Sequence, residues 1–518
     1  MNGPASTPPS APRRPGARAR RTGGAVLAQL PWSEVRNPHL PLAILSADQL
    51  EAIHRTSLRI LEELGIELMS ADARRRLRAA GADVDEASGM VRLDRALVGE
   101  TLANAPSAFT LTPRNPQRRV QLGGDHLVFG LVAGPANIHD LERGRRPGNY
   151  RDYCDFIRLA QHFNVLHMLG NQVCAPIELP ANSRHLDAYY ANLIYSDRAY
   201  HCSAIGAARA RDGIRMMAIA RGISLDEMVR SPGVMTIISV NSPRRFDEAM
   251  ADGLIAMAAL GQPVVITPFT LMGAMAPVTL AAALAQQNAE ALFGVVLAQV
   301  VRPGTPVMYG AFTSNVDLRT GAPAFGTPEN AKANVACGQL ARRYGLPYRT
   351  SNASASNAAD AQGAYETGMS LWGAILGRGN LIYHAAGWQE GGLTASFEKF
   401  VLDVEMLQMM VEFLKPIAVD EAELGFEAIR RVAAGGHFFG DPHTLERYEQ
   451  AFYRPLLSDW QNHASWQIAG GLDATRRATP IWKRALAEYQ QPPLDPAIRE
   501  ELDAFVRRRR DEIGAGEP

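Results

Sequence analysis

Short apolar runs alternate with amphipathic helical runs along the central part of the chain, beginning near Asp125. The apolar runs are too short and too rich in β-branched and aromatic residues to be helices, so they predict strands. Their apolar positions do not alternate strictly with polar ones, which is typical of parallel strands covered on both faces. The predicted strands are His126–Val132, Leu166–Cys174, Tyr200–Ile205, Val234–Val240, Pro263–Phe269, Pro306–Phe312, Pro347–Asn352 and Asn380–Ala386.

A run with helical spacing of apolar residues follows each of these strands. The helices are predicted near residues 151–162, 183–195, 207–221, 244–260, 279–300, 328–344, 359–376 and 397–414. Eight strand–helix units are the number that closes a TIM barrel, which usually takes about 250 residues. A doubly wound open sheet is the alternative, but no Gly-x-Gly-x-x-Gly turn follows the first strand and the chain has no P-loop. The sequence therefore predicts an α/β fold with a TIM (β/α)8 barrel over residues 121–414.

The segments on either side of the predicted barrel differ from it in composition. Residues 1–24 are rich in Pro, Ala and Arg, with five arginines and no acidic residue, which predicts disorder. Residues 25–120 predict an N-terminal helical cap region, because Ser46 can cap a helix that reaches Leu64 and a second helix follows near residues 71–80. Residues 415–518 predict a C-terminal helical extension that packs on the barrel or on a partner subunit, so a homo-oligomer is expected.

The 53 basic and 53 acidic residues give a formal net charge of zero. This balance argues against a nucleic-acid-binding surface and favours a small-molecule ligand or a protein partner. The four cysteines form no Cys-x-x-Cys pair, which predicts a reducing, cytoplasmic location and no structural metal site. The most apolar segment, Leu280–Val301, contains five Gln, Asn or Glu residues, so it predicts a buried helix and no membrane span.

The segment that begins at the end of the last predicted strand concentrates side chains that can take part in chemistry. It brings His384, Trp388, Gln389 and Glu390 within seven positions, at the strand end where the active sites of such barrels lie. The strand ends as a set are rich in amides, hydroxyls and aromatic rings and poor in Lys and Arg, which favours a neutral or cationic ligand. Four rings are predicted to surround a quaternary ammonium group, with simple packing as the alternative: Tyr309, Phe312, Tyr383 and Trp388.

A second candidate stretch, residues 351–366, begins as a small polar loop and ends in a helix. Gln362, Tyr365 and Glu366 lie three and four residues apart, so they share one helix face. Glu366 sits among small and apolar residues, which makes it a candidate catalytic residue together with His384. No His-Glu-x-x-His or Gly-x-Ser-x-Gly motif is present, so neither a metal centre nor a serine nucleophile is predicted.

Several short motifs occur in an order that resembles the trimethylamine methyltransferase family, whose members are corrinoid-dependent enzymes built on a TIM barrel. The resemblance extends from about residue 45 to residue 494. The motifs that carry it are Leu45-Ser46, Ile53–Leu58, Gly261–Val264, Ala276–Leu280, Gln286–Glu290, Gln299–Gly304, Asp360–Gln362, Tyr365-Glu366 and Phe397–Val401.

The resemblance implies methyl transfer from a methylated amine to the Co(I) centre of a corrinoid (cobalamin) carried by a partner protein. Founding members of the family contain pyrrolysine, which should fall in or near residues 351–360, where this chain has only ordinary residues. The chain is therefore similar to the branch without pyrrolysine, whose characterised members demethylate quaternary amines such as glycine betaine. A quaternary nitrogen leaves as a neutral tertiary amine, so it needs no activating adduct.

In this interpretation Glu366, His384 and Glu390 orient the substrate or the edge of the cobalamin. A substrate carboxylate would need hydrogen-bond donors, and the candidates are Asn352, Asn357, His384 and Gln389. Two other functions are the alternatives. One is a barrel lyase or hydrolase with Glu366 or His384 in acid–base chemistry. The other is a non-catalytic protein that binds a quaternary amine.

Overall fold

Eight parallel strands form the centre of the fold in the computed structural model, which describes residues 27–514. The predicted tail, residues 1–24, lies outside the described residues. All eight predicted strands are present but shorter than predicted, because the apolar runs continue into buried loop residues such as Leu131, Val132 and Val173. The strands are β1 His126–Phe129, β2 Met168–Leu169, β3 Ala199–His201, β4 Val234–Ile238, β5 Val264–Ile266, β6 Val307–Gly310, β7 Tyr348–Ser351 and β8 Leu381–Tyr383.

These strands belong to one curled, nine-stranded sheet. Its hydrogen-bonded row runs β1-β8-β7-β6-β5-β4-β3-β2, and the ninth strand, Val35–Arg36, pairs antiparallel with β1. A parallel bridge joins Gly130 after β1 to Met168 on β2, with hydrogen bonds from His167 N to Phe129 O (2.9 Å) and from Leu131 N to Met168 O (3.0 Å). Because the eight strands are parallel, their C-terminal ends all meet at one rim.

A helix covers the outside of the sheet after each strand, since parallel neighbours need a crossover connection. All eight predicted helices are confirmed, with every boundary within four residues of its prediction. They are α1 Tyr150–His162, α2 Arg184–Tyr195, α3 Ala207–Arg221, α4 Glu248–Ala259, α5 Leu280–Val301, α6 Pro328–Arg343, α7 Ala361–Leu376 and α8 Phe397–Phe413; the shorter helix Leu225–Arg230 follows α3.

Helix α5 is the one helix in residues 27–514 that is long and apolar enough to cross a membrane, and 83% of its most apolar window is buried inside the fold. Its polar residues have partners within the protein. Gln287 Nε2 donates to Gly310 O at 3.0 Å, and Glu290 accepts hydrogen bonds from Ser242 Oγ at 2.5 Å and Arg244 N at 2.9 Å. The prediction of a buried helix is therefore confirmed.

The end of the sheet opposite the rim is filled by an N-terminal hairpin, Ala108–Leu111 and Val120–Gly123. Successive strand residues point to opposite faces, and those that point inside the curl near the strand beginnings are apolar. Thr112 N donates to Pro232 O, just before β4, at 2.8 Å. The hairpin and the inside of the sheet share one apolar cluster, which includes Phe109, Leu111, Val120, Leu122, Val128, Met168, Met235, Val265, Met308 and Leu381.

The rest of the N-terminal region contains strands as well as the helices that were predicted for this cap region. Helix Ala47–Arg59 begins at Ser46, whose side chain accepts from Gln49 N in a capping box, so the predicted cap is confirmed. The helix continues as a π-helix to Leu64 and is followed by Ala71–Ala79 and Arg95–Leu102. The strands Ile66–Leu68, Asp83–Asp85, Met90–Arg92 and Arg245–Phe246 form a separate sheet.

The C-terminal segment packs against α8 through buried carboxylates. Glu398 accepts hydrogen bonds from Trp482 Nε1 (3.0 Å) and Thr479 Oγ1 (2.8 Å). Its helices are Glu421–Leu424, Phe426–Arg431, Pro442–Arg447, His463–Ile468, Ala474–Glu488 and Pro496–Gly514. Large apolar side chains are exposed on this segment at Ile417, Val419, Phe426, Phe439, Phe452, Trp460 and Ile468.

Candidate active site at the rim of the sheet

Four aromatic rings meet at the rim, and we call them the aromatic wall: Phe312, Phe325, His384 and Trp388. Strand β8 ends at Tyr383, and the next residue, His384, adopts a left-handed conformation with φ of 54°. Trp388 then lies in the short strand Trp388–Gln389, which pairs with Thr394–Ser396. The His384 ring stacks on Trp388 with centroids 5.2 Å apart, and Phe312 lies 5.6 Å from each. Phe325 lies 5.1 Å from Trp388.

Rings at these separations are in direct contact with one another. The aromatic wall is therefore one packed surface. This arrangement differs from the predicted cage, in which the rings surround the cation. The difference arises because Phe325, on the loop after strand Pro323–Ala324, fills the space beside Phe312 at a centroid distance of 5.2 Å.

His384 is a neutral imidazole in this environment. Burial lowers its pKa well below the ordinary value, and the positive charge of Arg349 and the ring of His201 lower the pKa further. Its Nδ1 lies 3.3 Å from Ser351 Oγ. A neutral ring adds no like charge beside a cationic ligand, so His384 suits a cation-binding surface better than it suits acid–base chemistry at neutral pH.

A hydrogen-bonded chain runs through the upper inside of the sheet. Burial lowers the pKa of His201 to about 3, so this ring is also neutral. Ile237 N donates to His201 Nε2 at 3.1 Å, which leaves the ring proton on Nδ1. That Nδ1 lies 2.6 Å from the Tyr383 hydroxyl, which also accepts from Asn171 N at 2.9 Å. Because the Tyr383 oxygen accepts both of these hydrogen bonds, the hydroxyl proton itself has no acceptor within residues 27–514.

Arg349 on β7 points inside the curl, on the same face as Met308 and Tyr383, and is 2% exposed. Its Nη1 donates to Ala311 O at 3.3 Å, its Nε has no partner, and no carboxylate of the described chain pairs with it. Its Cζ lies 5.2 Å from the ring centre of Tyr383 and 5.5 Å from that of Phe312. Burial lowers the pKa of Arg349 to about 10, so the guanidinium is charged at neutral pH.

Glu366 braces the loop between β7 and α7. Its Oε2 accepts hydrogen bonds from Ser354 Oγ (2.8 Å), Ala355 N (2.8 Å) and Ser356 N (2.9 Å). Its Oε1 accepts from Gln362 Nε2 at 2.8 Å. The carboxylate is thus occupied by four donors, which is the arrangement of a group that positions a loop.

Glu390 is occupied in a similar way at the edge of the site. Arg145 Nε donates to Glu390 Oε2 at 2.7 Å, and Thr394 Oγ1 donates to the same oxygen. Partial burial opposes ionisation, but these donors outweigh it and hold the pKa of Glu390 below its ordinary value. At neutral pH the group is therefore an ion-paired carboxylate.

The predicted amide donors lie around the loop between β7 and α7. Asn352 is buried, its Nδ2 donates to Ala385 O at 3.1 Å, and its Oδ1 has no partner. Gln389 is also buried; its Nε2 donates to the main-chain oxygen of Asn357 at 2.8 Å, and its Oε1 has no partner. The side chain of Asn357 itself is exposed.

Two predicted site residues lie apart from this group. Tyr309 points to the outer face of β6, where its hydroxyl lies within hydrogen-bond distance of Gln287 Oε1 (3.0 Å) and Asn288 Oδ1 (2.9 Å) of α5. Strand alternation sends its ring into the helical layer, which corrects its assignment to the cation site. Tyr365, a predicted substrate-binding residue, is 62% exposed on α7, away from the face on which Glu366 is buried, so the predicted shared face does not include it.

Sequence reasoning missed three residues of the site. Arg349 lies inside a predicted strand, where a charged residue in a buried run is the signal that could have found it. His201 sits at a strand end next to Cys202, and the alternation of the strand turns the imidazole inward and the thiol outward. Phe325 comes from a loop far from the other rings, and no spacing rule in the sequence connects it to them.

Residues 11–514 match the profile of the trimethylamine methyltransferase (MTTB) family. The chain belongs to this family. Among curated relatives of this MTTB-family chain, the glycine betaine methyltransferase of Desulfitobacterium hafniense (strain Y51) is 37% identical, over 91% of this chain and 98% of that protein. The trimethylamine methyltransferase MttB of D. hafniense (strain DSM 10664 / DCB-2) is 28% identical, over 91% of this chain and 95% of that one.

Among solved structures, the monomethylamine methyltransferase (MtmB) of Methanosarcina barkeri gives a TM-score of 0.48 at 9% identity, over 86% of this chain and 94% of that chain. The family and the curated relatives identify this MTTB-family chain as a methyltransferase.

We expect the Glu366→Gln variant of this MTTB-family methyltransferase to keep its rate within about tenfold of wild type, because the amide oxygen can accept the same loop donors. Glu366→Ala leaves those donors unsatisfied and is expected to lower the free energy of unfolding by about 2–4 kcal/mol. Denaturant titrations and methyl-transfer rates of both variants test this. A loss of about 100-fold or more in the glutamine variant, at unchanged stability, would instead support an acid–base role.

Proposed function

We propose that the chain transfers a methyl group from a quaternary amine, with glycine betaine as the first candidate, to the Co(I) centre of a corrinoid held by a separate protein. The observation that carries the proposal is the aromatic wall at the rim, with the neutral ring of His384 stacked on Trp388. Aromatic faces attract quaternary ammonium groups by about 0.5–2 kcal/mol per contact. The relative named glycine betaine methyltransferase, 37% identical over nearly its whole length, supports the choice of candidate.

The proposal includes a closed TIM barrel as the scaffold of the site. The bridge between Gly130 and Met168 and its two flanking hydrogen bonds support this closure, because they connect the two ends of the row of eight parallel strands. In such a barrel the reacting groups lie at the C-terminal ends of the strands. The aromatic wall, Arg349 and Tyr383 all lie at or just below that rim.

The corrinoid would supply a Co(I) nucleophile that accepts the methyl group. The side chains around the rim fit a partner that carries a large macrocycle, because apolar residues on the connections after five strands are exposed to solvent. These residues are Ile177, Ile205, Val278, Leu318 and Leu393, with exposed fractions of 57%, 47%, 62%, 71% and 55%.

The residues of this chain would act by holding the amine in position. Attack on a methyl group of a quaternary nitrogen needs no proton transfer, and well-oriented reactants gain effective molarities of about 10⁵ M or more. The two rim carboxylates, Glu366 and Glu390, are occupied by fixed donors. This observation favours methyl transfer over the lyase or hydrolase alternative, which needs a carboxyl group free to exchange protons.

The loop after β7 supports a quaternary substrate. Residues 351–360 consist of Ser, Asn, Ala and Asp only, so the loop offers no electrophile that could form an adduct with a neutral amine. Transfer of a methyl group from neutral trimethylamine would release the dimethylamide anion, unless the nitrogen were protonated first. Transfer from a quaternary amine releases a neutral tertiary amine directly.

We expect glycine betaine, and not trimethylamine, to produce methyl-Co(III) when the full-length protein is mixed with Co(I) cobalamin. The visible absorption change on methylation of cobalt measures the reaction, and dimethylglycine is the expected second product. Comparable rates for the two amines would contradict the argument from the leaving group. Tight binding of glycine betaine without any methyl-Co(III), even with corrinoid proteins present, would favour the non-catalytic binding protein.

A further inference from the structure

We propose that Arg349 is the specificity-determining residue of this site, and that it binds a carboxylate carried by the quaternary amine. This inference rests on the proposed function and extends it, because it selects amino-acid betaines over quaternary amines that lack an acid group. The sequence predicts only neutral donors for a substrate carboxylate, at Asn352, Asn357, His384 and Gln389, and no cationic side chain at the strand ends.

A second buried arginine shows what a structural role looks like in the same fold. Arg198 is 1% exposed, and its guanidinium donates to four main-chain oxygens, including Phe163 O and Gln161 O, both at 2.9 Å. Arg349 is equally buried but has a single hydrogen bond, to Ala311 O at 3.3 Å. The Nε atom has no partner in either arginine within the described part of the chain, so the difference is in the terminal nitrogens. The remaining N–H donors of the Arg349 guanidinium are therefore available to a ligand.

The charge on Arg349 is uncompensated as well. An isolated charge taken out of water is strongly unfavourable unless an opposite charge or several hydrogen bonds replace the water. No Asp or Glu of residues 27–514 forms an ion pair with Arg349, and its immediate neighbours are the rings of Phe312 and Tyr383. An anionic ligand would supply the missing charge and accept from the planar fork of donors that arginine presents to carboxylates.

A second donor on the same inner face points to the same ligand chemistry. The Tyr383 hydroxyl accepts from His201 and Asn171, and its own proton has no acceptor within the described residues. The Tyr383 ring lies 5.2 Å from Arg349 Cζ. Two unmatched donors, one of them cationic, thus occur together in a region with no acidic side chain, which is the donor set of a carboxylate site.

The carboxylate site and the aromatic wall are adjacent. Phe312 belongs to both, since its ring centre lies 5.5 Å from Arg349 Cζ and 5.6 Å from the Trp388 centroid. A cation is attracted within about 6 Å of a ring centroid, and a charged hydrogen bond to a carboxylate spans about 2.8 Å. A ligand with one carbon between its carboxylate and its quaternary nitrogen therefore reaches both features.

The test is calorimetric binding to the full-length protein without any corrinoid, using three ligands of one shape. Glycine betaine carries both charges, glycine betaine amide carries only the cation, and 3,3-dimethylbutyrate carries only the anion. We expect wild type to bind glycine betaine about 100-fold more tightly than the amide. Arg349→Met is expected to weaken glycine betaine and 3,3-dimethylbutyrate by about 100-fold while the amide changes by less than about threefold.

Arg349→Lys serves as the second variant, because it keeps the positive charge but cannot form the planar, bidentate pair of hydrogen bonds to a carboxylate. We therefore expect an intermediate loss of affinity for glycine betaine. Equal weakening of all three ligands by the variants would show that Arg349 maintains the aromatic wall. Equal affinity of the wild type for glycine betaine and for its amide would show that the site does not bind the carboxylate. Either result overturns the inference. The outcome is independent of methyl transfer. Anion binding that depends on Arg349 supports the inference even if no methyl group reaches cobalt, which would overturn the proposed function alone.

Discussion

Replacing Asp403 with alanine is expected to lower the free energy of unfolding by about 3–5 kcal/mol, because it leaves a buried ammonium group unpaired. Asp403 and Lys399 form an ion pair one helical turn apart on α8, and each side chain is 1% exposed. Asp403 also accepts from Gly387 N at 2.8 Å, so the variant leaves a second buried donor without an acceptor. Denaturant unfolding of the variant and of wild type measures the difference.

The matched control is the double variant Lys399→Met with Asp403→Leu, which removes both charges and keeps apolar volume. We expect it to recover most of the lost stability, since buried ion pairs are often replaceable by well-packed apolar side chains. It should not recover activity fully, because Gly387 precedes Trp388 and its N–H stays without an acceptor. A double variant as unstable as Asp403→Ala would show that the loss comes from packing and not from the unpaired charge.

Stability is expected to fall steeply as the pH drops from 7.5 to 5.5, because several histidines are buried as neutral rings. Burial lowers the pKa of His167 and His201 to about 3 and that of His384 well below its ordinary value. The unfolded chain therefore binds protons below about pH 6.5 that the folded chain does not bind, and each such histidine removes about 1.4 kcal/mol of stability per pH unit. The loss begins near pH 6.5 and continues until the folded pKa values are reached.

Denaturant unfolding at a series of pH values measures this slope, which should approach about 4 kcal/mol per pH unit for three such histidines. His54 and His162, whose pKa values are also lowered by burial, act in the same direction. His201→Gln is the control, and it should reduce the slope by the contribution of one group whatever its effect on stability at pH 7.5. A slope that is flat down to pH 5.5 would mean that these rings gain protons in the folded protein.

The elements of the fold were predictable because each depends on a local pattern. Runs such as Val234–Ile238 are apolar over the whole length of a strand, and parallel strands buried on both faces need that pattern. The capping box at Ser46 likewise depends on residues three positions apart. The outer ends of the strands were less predictable, since buried loop residues such as Val173 continue the apolar run without pairing.

The candidate site was predictable only in part, because it depends on the register of several strands at once. Trp388 and His384 were predicted because they closely follow one strand. The ring of Tyr309, which was predicted for the site, lies on the outer face of the sheet, and the guanidinium of Arg349, which was not predicted, lies on the inner face. A shift of one residue exchanges the two faces of a strand. Strand β6 has apolar residues on both faces, and β7 has polar residues on both, so their composition does not reveal which side chains point inward.

The N-terminal hairpin that fills one end of the curled sheet has a kinetic consequence. With Phe109, Leu111, Val120 and Leu122 packed into that end, the described residues leave the rim as the entrance to the site. Under the proposed function the partner's corrinoid must approach the same entrance. The amine therefore has to enter before the partner docks, and the demethylated amine leaves only after the partner has withdrawn, so the two substrates follow a compulsory order.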